Sequence, residues 1–307
     1  MSVQANSTAP AVPGPAAAGA RQGHAREFWQ RFARNRAALG GLVVLLVIVV
    51  VALVGPLFFK QGPFELAGPP FSPPFGQFPL GTDMLGRNEL AGIVFGARTS
   101  LLIGLVATLF ATLLGGLLGG IAGYYGGAVD EMLMRLTEMF QTIPSFLFAI
   151  LVVAILSPSI GSVILAIAVV SWPPMARLVR GEFRALRNRE FVEACISMGM
   201  SDARVIVRHI LPNCVSSIIV TGSLLVATAI LTESALSFLT IGVQPPQASW
   251  GTVISDGQQL LYTRPWVAIA PGIMIVLTVL SLNVLGDGIR DALDPRAKRR
   301  IGRKAKA

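Results

Sequence analysis

The sequence has few of the charged residues that give soluble proteins their surface. Only 13% of its 307 residues are charged, whereas 53% are apolar, and the mean hydropathy is +0.67. A soluble domain of this composition would expose more apolar surface than its interior can hide, whereas a bilayer accepts such surface. These proportions exclude an ordinary soluble globular domain and indicate a chain whose main solvent is lipid.

Histidine and cysteine, the residues of many catalytic and metal sites, are also scarce. The two histidines, His24 and His209, lie near no carboxylate cluster within an apolar stretch, and this disfavours an enzyme. The two cysteines, Cys195 and Cys214, have no partner at metal-ligand spacing. No G-x-x-x-x-G-K-[ST] loop is present to cradle a nucleotide phosphate. We predict no catalytic residue, no metal site and no cofactor in this chain.

Six largely uncharged stretches have the length of membrane crossings. A hydrocarbon core about 30 Å thick needs about 20 helical residues, each rising about 1.5 Å. The predicted spans are residues 37–59, 99–124, 136–156, 160–177, 213–241 and 265–289. Ser157-Pro158-Ser159 interrupts a run too long for one crossing, so the third and fourth spans should form a tight hairpin. The predicted fold class is an all-α membrane protein with six transmembrane helices.

The segments outside the predicted spans are polar or rich in proline. Residues 1–25 lack apolar periodicity and are predicted to be a disordered tail. Residues 26–36 suit an amphipathic helix on the membrane surface or, equally, a basic flank that anchors the first span. The remaining segments are two outer loops, residues 60–98 and 243–264, a polar segment at 180–212 and a basic tail at 293–307.

The basic residues indicate how the chain is oriented. The net charge is +9, but lysine and arginine flank the spans and do not form one patch interleaved with exposed aromatic residues, so nucleic acid is not an expected partner. Six alternating crossings place 21 of the 25 basic residues on one side, leaving Lys60, Arg87, Arg98 and Arg264 on the other. By the positive-inside rule both termini should be cytoplasmic.

The polar segment between spans four and five has the pattern of a docking element. Phe191, Ala194, Cys195 and Met198 recur at helical i, i+3, i+4 and i+7 spacing, which predicts one apolar face. Such a face needs a partner, either another protein or, in the alternative interpretation, the chain's own bundle. Gly199 permits a sharp turn, after which Ser201 or Asp202 can cap a second short helix.

The same segment resembles the EAA signature of the transmembrane subunits of type I ABC importers. The resemblance rests on Glu193-Ala194, Gly199 and the closing Leu211-Pro212, and Cys195 and His209 depart from the usual pattern. It implies two short helices that dock on an ATPase subunit. The coupling residues implied are Glu190, Phe191, Glu193, Ala194, Cys195, Met198, Gly199, Ser201, Asp202 and Ala203.

Further motifs make the resemblance more specific. The stretches 78–88, 96–101 and 233–239, then Pro245-Pro246 and Ser249-Trp250-Gly251, are similar to the C-type permease subunit of dipeptide, oligopeptide and nickel importers. The likeness covers about residues 25–296. It implies a MetI-like fold in the bacterial inner membrane, a second homologous permease as heterodimer partner, and an extracytoplasmic substrate-binding protein. Two ATPase subunits or domains would bind ATP and Mg²⁺.

Two features inside the predicted spans suggest specific roles. Gly115, Gly119 and Gly123 form a small-residue stripe that allows close helix packing, within the subunit or against a second channel subunit. Glu233 is the only carboxylate well inside span five. It either lines the passage and meets a substrate amino group or makes a structural hydrogen bond. A stand-alone secondary transporter is the competing class of function, although the sequence has no clear internal repeat.

Overall fold

A computed structural model describes residues 28–293, and this part of the chain is built from helices. The α-helices of this part of the chain are α1 (residues 28–34), α2 (Arg36–Val54), α3 (Glu89–Tyr125), α4 (Gly127–Thr142), α5 (Ser145–Leu156), α6 (Ile160–Arg187), α7 (Glu190–Ser197), α8 (Asp202–Val205), α9 (Leu211–Phe238), α10 (Trp250–Gly257) and α11 (Trp266–Leu293). Short 3-10 turns follow α2 and α10, and a π-helical turn, Ile206–Ile210, joins α8 to α9. The predicted tails, residues 1–25 and 293–307, lie outside the described residues except for Leu293.

The helices supply the crossings that the composition requires. Five helical stretches are long and apolar enough to span a bilayer: Arg36–Phe58, Glu89–Tyr125, Ile160–Arg187, Asp202–Phe238 and Trp266–Leu293. Helices α4 and α5 pass the same test together but are bent by 84°, so they supply a sixth crossing if they count as one span. The predicted class, an all-α bundle with about six membrane helices, is confirmed.

Helix α3 begins ten residues before the predicted start of the second span. Arg98 ended the uncharged run in the sequence, but the helix starts at Glu89, where the Asn88 side chain accepts the backbone N–H of Leu90 at 3.1 Å. An Asn cap followed by a first-turn carboxylate satisfies a helix N-terminus. At 37 residues the helix is about 55 Å long, so it extends well beyond a hydrocarbon core of about 30 Å.

The third predicted span is divided into two helices. Helix α4 carries charged residues on its exposed side, whereas α5 is uniformly apolar. The chain bends at Ile143-Pro144, where both residues have extended backbone and Pro144 precedes the first turn of α5. As predicted, a turn at residues 157–159 then reverses the chain: Ser157 has a φ of 68°, and Ser159 caps α6.

The glycine stripe of α3 packs against α6 of the same chain. A Cβ on any of the three glycines would lie less than 3.0 Å from an α6 carbonyl oxygen; the pairs are Gly115 with Trp172, Gly119 with Ala176, and Gly123 with Arg180. Glycine therefore lets the two backbones approach directly. Of the two interpretations of the stripe, the geometry corresponds to packing within the subunit.

Helix α1 and the ends of α2 and α11 form a small cluster at one end of the bundle. Phe32 is 2% exposed and packs with Ala38 and Ala292, whereas Trp29 is 57% exposed. Helix α1 is therefore tied to the bundle through Phe32, and the more exposed Trp29 ring stacks on Phe32 with 5.6 Å between the ring centroids. Its location at a membrane surface stays a prediction.

Candidate functional site

The segment between α6 and α9 folds as two short helices joined by a glycine turn. Helix α7 spans Glu190–Ser197 and α8 begins at Asp202. Gly199 has a φ of 76°, a conformation that favours glycine because a Cβ would clash with the backbone. Its N–H donates to the Ile196 carbonyl at 2.9 Å, and the Met200 N–H donates to the Cys195 carbonyl at 3.2 Å. We call residues 190–213 the coupling segment.

The apolar face predicted for α7 is divided between two sides of the helix. Cys195 is buried with Val192 and packs onto a cluster that includes Val179, Val205 and Ile210, so it faces the chain's own bundle. Phe191 and Met198 lie on the exposed side. The prediction that Cys195 shares one docking face with Phe191, Ala194 and Met198 is wrong. Because Val192 sits three residues before Cys195, the inward face follows that pair instead.

The apolar residues that remain exposed on the coupling segment lie on both of its helical parts. Phe191 is 44% exposed, Ile196 43%, Met198 71% and Val207 64%. Four exposed polar residues, Glu190, Glu193, Ser201 and Asp202, and two exposed alanines, Ala194 and Ala203, accompany them. A mixed surface of this kind suits a docking site on another protein better than lipid.

A hydrogen bond that the sequence did not signal fixes the start of α8. Ser201 occupies the N-cap position, but its side chain makes no capping bond. The Asp202 carboxylate instead accepts the hydroxyl of Tyr124, from the end of α3, at 2.8 Å. The Arg187 guanidinium lies over the Tyr124 ring at 5.3 Å from its centroid. Tyr124 thus joins three elements, the ends of α3 and α6 and the second helix of the coupling segment.

The second half of the coupling segment is continuous with a membrane span. Asp202–Phe238 forms one helical stretch of 37 residues, interrupted only by the π-helical turn Ile206–Ile210. Pro212 follows that turn and has no N–H to donate to the preceding turn, which accounts for the locally loosened hydrogen bonding. A displacement of α8 would therefore be passed directly to α9.

Glu233 lies at the centre of a cage of serine hydroxyls. Its carboxylate accepts Ser100 from α3 at 2.8 Å, Ser237 at 2.8 Å and Ser234 at 3.4 Å. Two of these serines are themselves acceptors: Ser100 accepts the backbone N–H of Trp250 at 3.2 Å, and Ser237 accepts that of Val243 at 3.0 Å. Serine hydroxyls from α3 and α9 therefore donate to the carboxylate, and two of these serines in turn hold N–H groups of α10 and of the loop before it.

The position of Glu233 corrects one of its two interpretations. The residue is 0% exposed, so it does not meet a substrate in an open passage of this conformation. A carboxylate inside an apolar bundle is tolerated when donors satisfy its oxygens, and here every side-chain contact is of that kind. The geometry corresponds to the structural alternative: Glu233 holds α10 against α3 and α9.

An ion-pair group connects α10 to the loop before α3. Arg87 lies 3.5 Å from Asp256 of α10 and 3.9 Å from Asp83, and its guanidinium stacks over the Phe64 ring. Asp83 also accepts the backbone N–H groups of Leu85 and Arg87, both at 2.8 Å. Burial raises the pKa of Asp256, Arg87 opposes this shift, and Asp83 adds to it.

Within residues 28–293, no group of three or more His, Cys, Asp or Glu side chains is arranged to hold a metal ion. The predicted functional residues lie in two places. The coupling segment is at one end of α9, and Glu233 lies toward the other end. Neither place brings together a nucleophile, a base and an open pocket, the constellation needed for catalysis.

Two protein-family models match the chain. Residues 111–299 match the model of the binding-protein-dependent transport system inner membrane component, and residues 24–74 match the N-terminal transmembrane domain of oligopeptide transport permease C. The chain belongs to this inner membrane component family. It is thus a transport permease subunit located in the inner membrane, as the sequence predicted.

Similar curated permeases match along almost their whole length. The di/tripeptide transport system permease protein DppC of Pseudomonas aeruginosa is 42% identical over 89% of this chain and 92% of its own length. The oligopeptide transport system permease protein OppC of Escherichia coli K12 is 42% identical over 88% of the chain and 92% of its own. The glutathione transport system permease protein GsiD of Escherichia coli is 39% identical over 89% and 90%.

Solved structures share the fold of this permease subunit at low identity. An inward-facing form of the MetNI methionine ABC transporter matches with a TM-score of 0.55 and 18% identity, over 67% of this chain and 98% of that one. An amino acid ABC transporter crystallised with histidines gives a TM-score of 0.52 at 15% identity, over 66% and 95%. The likeness is one of fold, and it agrees with the predicted MetI-like architecture.

Proposed function

We propose that this permease subunit forms half of the translocation path of an ATP-driven importer of dipeptides or oligopeptides. The observation that carries the proposal is the match to DppC and OppC permeases, each 42% identical over nearly nine-tenths of the chain. The proposed complex contains a second homologous permease, two ATPase subunits or domains that bind ATP and Mg²⁺, and an extracytoplasmic binding protein. This chain itself is non-catalytic.

The coupling segment is the proposed receiver of the ATPase's motion. Its exposed apolar residues, Phe191 and Met198 among them, supply a contact surface, and the buried pair Val192 and Cys195 ties that surface to the bundle. Since α8 continues into α9, closure of the ATPase pair would move a membrane span directly. Alternating access then follows from a shift between two packed states of the bundle.

The proposed orientation places the coupling segment and both termini in the cytoplasm. It follows from the 21 basic residues on that side. The loop before α3 and helix α10 then face outward, where the Arg87 and Glu233 contacts hold them in a fixed position. A firmly held outer surface suits a subunit that receives a loaded binding protein.

Glutathione is a second candidate substrate, because GsiD is 39% identical over 89% of this chain. A nickel chelate is a further alternative from the sequence resemblance. Glutathione and peptides share an ammonium group, carboxylates and peptide-like bonds. Which of them is carried would be decided largely by the binding protein.

The test is uptake by the whole complex in proteoliposomes. The chain is co-purified with the permease, ATPases and binding protein encoded beside it, and accumulation of labelled dipeptide is followed with and without ATP. We expect ATP-dependent uptake that requires the binding protein and that longer peptides or glutathione inhibit according to its preference. Uptake by this chain alone, driven by an ion gradient without ATP, would instead identify a secondary transporter.

A further inference from the structure

A cleft between α6, α9 and α11 lies beside the coupling segment. Its volume is about 460 Å³, within the roughly 300–1,000 Å³ typical of small-molecule sites. Its walls include Glu182 near the end of α6, Ser217 and Thr221 on α9, and Arg290 near the end of α11. Leucine side chains, such as Leu224, complete the lining.

The cleft contains two opposite charges that do not pair with each other. Glu182 accepts the Ser217 hydroxyl at 2.7 Å, which leaves most of its acceptor capacity unused. Neither Glu182 nor Arg290 forms an ion pair within residues 28–293. Glu182 is partly buried and Arg290 is exposed near the end of α11, so a ligand in the cleft could reach both charges.

The groups that line the cleft have the chemistry to bind a small zwitterion. A carboxylate recognises an ammonium group, and a guanidinium recognises a carboxylate by charge-assisted hydrogen bonds. The hydroxyls of Ser217 and Thr221 suit the amide groups between two such ends, and the leucine walls suit apolar side chains of varied size. A free dipeptide carries all of these groups.

We propose that this cleft is an inner substrate subsite, in which Glu182 binds the α-ammonium group of a peptide and Arg290 binds its carboxylate. The proposal rests on the proposed importer function and adds a site within this subunit. Because Glu182 precedes the coupling segment on the same stretch of chain, movement of that segment would alter the cleft. Peptide affinity would then differ between the two states of the transport cycle.

The experiment measures binding of labelled dipeptide to the purified complete complex in nanodiscs, without nucleotide and without the binding protein. We expect Glu182→Gln and Arg290→Gln each to weaken binding by about tenfold. Glu131→Gln on α4 and Arg184→Gln on α6, both exposed and outside the cleft, serve as charge-matched controls and should bind as the unaltered complex does.

Capped peptides identify which charge meets which residue. N-acetylation should weaken binding to the unaltered complex as much as Glu182→Gln does, and should have no further effect on that variant. Amidation of the carboxylate should show the same relation with Arg290→Gln. Equal binding of capped and free peptides, or an absence of binding to the unaltered complex, would overturn the subsite.

A phosphatidylethanolamine headgroup also carries an ammonium group beside an anion, so the lipid is varied. If nanodiscs containing this lipid abolish peptide binding and those of phosphatidylcholine restore it, the cleft is a lipid site and the proposal fails. Uptake in proteoliposomes distinguishes a failure of the proposed subsite from a failure of the proposed importer function. If the unaltered complex imports peptide and the cleft variants import it equally well, only the subsite proposal fails. If the unaltered complex imports no peptide, the proposed peptide-importer function fails.

Discussion

At the scale of single residues, one carboxylate holds several segments in place. Replacing Glu233 by alanine would remove the acceptor of Ser100 and Ser237 and leave a cavity in a fully buried position. We expect a loss of stability on the order of 3 kcal/mol. Thermal unfolding of the purified complex in detergent measures it.

Glu233→Gln is the matched control for that substitution, because glutamine keeps the side-chain volume and one carbonyl acceptor. The serine hydroxyls can rotate to accept its amide group, so the loss should be smaller than with alanine. Since the proposed role is structural, transport per assembled complex should persist in the glutamine variant. An alanine variant as stable as the unaltered protein would contradict the account of the serine cage.

Asp256 gives a residue-scale prediction about pH. Burial raises its pKa above the ordinary value of 3.8, so the folded state binds the proton more tightly than the unfolded state. Its contribution to stability is therefore present below the unfolded pKa and lost as pH rises through the folded pKa. As pH rises above 3.8, the melting temperature should fall more in the unaltered protein than in Asp256→Asn. Parallel curves for the two proteins would contradict the prediction. The effect should be small, because the side chain is half-exposed.

What the sequence revealed about individual residues depended on whether their partners were local. Gly199 was predictable as a turn because its neighbours in the chain define the turn. The partnership of Tyr124 with Asp202 was not, because the two are separated by α4, α5, α6 and α7 and meet only after folding. For Glu233, a hydrogen bond to neighbouring hydroxyls was one of the two predicted roles, but Ser100 and Ser249 are distant in the sequence and meet it only after folding.

At the scale of elements, the α3–α6 contact depends on the absence of side chains at three positions. Gly119→Ala would place a Cβ against the Ala176 carbonyl, so α3 or α6 must shift. We expect a destabilisation of about 1–3 kcal/mol, typical of overpacking. Thermal unfolding and the yield of assembled complex are the measurements.

The neighbouring Gly116 provides the control on the same helix. A Cβ there would meet nothing within 4 Å. Gly116→Ala should therefore be neutral or slightly stabilising, since alanine has the higher helix propensity. Equal damage from both substitutions would show that the stripe contributes flexibility instead of close packing.

The coupling segment gives an element-scale prediction about transport. Tyr124→Phe removes the hydroxyl that anchors Asp202 and with it a charge-assisted hydrogen bond worth about 1.5–3 kcal/mol. With α8 less firmly held to α3, we expect more ATP hydrolysed per peptide imported. The ratio of phosphate release to uptake measures this, and Tyr125→Phe is the control. An unchanged ratio would mean that the bond does not transmit motion.

Element boundaries show where charge patterns mislead. Arg98 marked the edge of an uncharged run, but α3 begins well before it. The third span was predicted to begin at residue 136, but α4 begins at Gly127. Helices in this protein extend past the hydrocarbon layer into polar surroundings, where charge no longer stops them. The break between α4 and α5 depends on Pro144, whose effect on direction is a matter of three-dimensional packing.

At the scale of the whole molecule, composition alone determined the fold class, because an apolar fraction of 53% leaves a membrane bundle as the workable solution. The order of motifs such as Glu193-Ala194 and Ser249-Trp250-Gly251 then pointed to the permease family, and the comparisons confirmed it. The side of the membrane that each loop faces was inferred from charge and has its own test.

That test labels single cysteines in intact cells with a thiol reagent that cannot cross the membrane. The native Cys195 and Cys214 are buried, so they give a low background. Phe75, 92% exposed in the loop before α3, and Glu131, exposed on α4, are replaced by cysteine one at a time. If both termini are cytoplasmic, Phe75→Cys should be labelled from outside, and Glu131→Cys should react only after the cells are permeabilised. The reverse labelling pattern would show the opposite orientation in the membrane. The coupling segment would then face away from the cytoplasmic ATPase, and the proposed mechanism would fail.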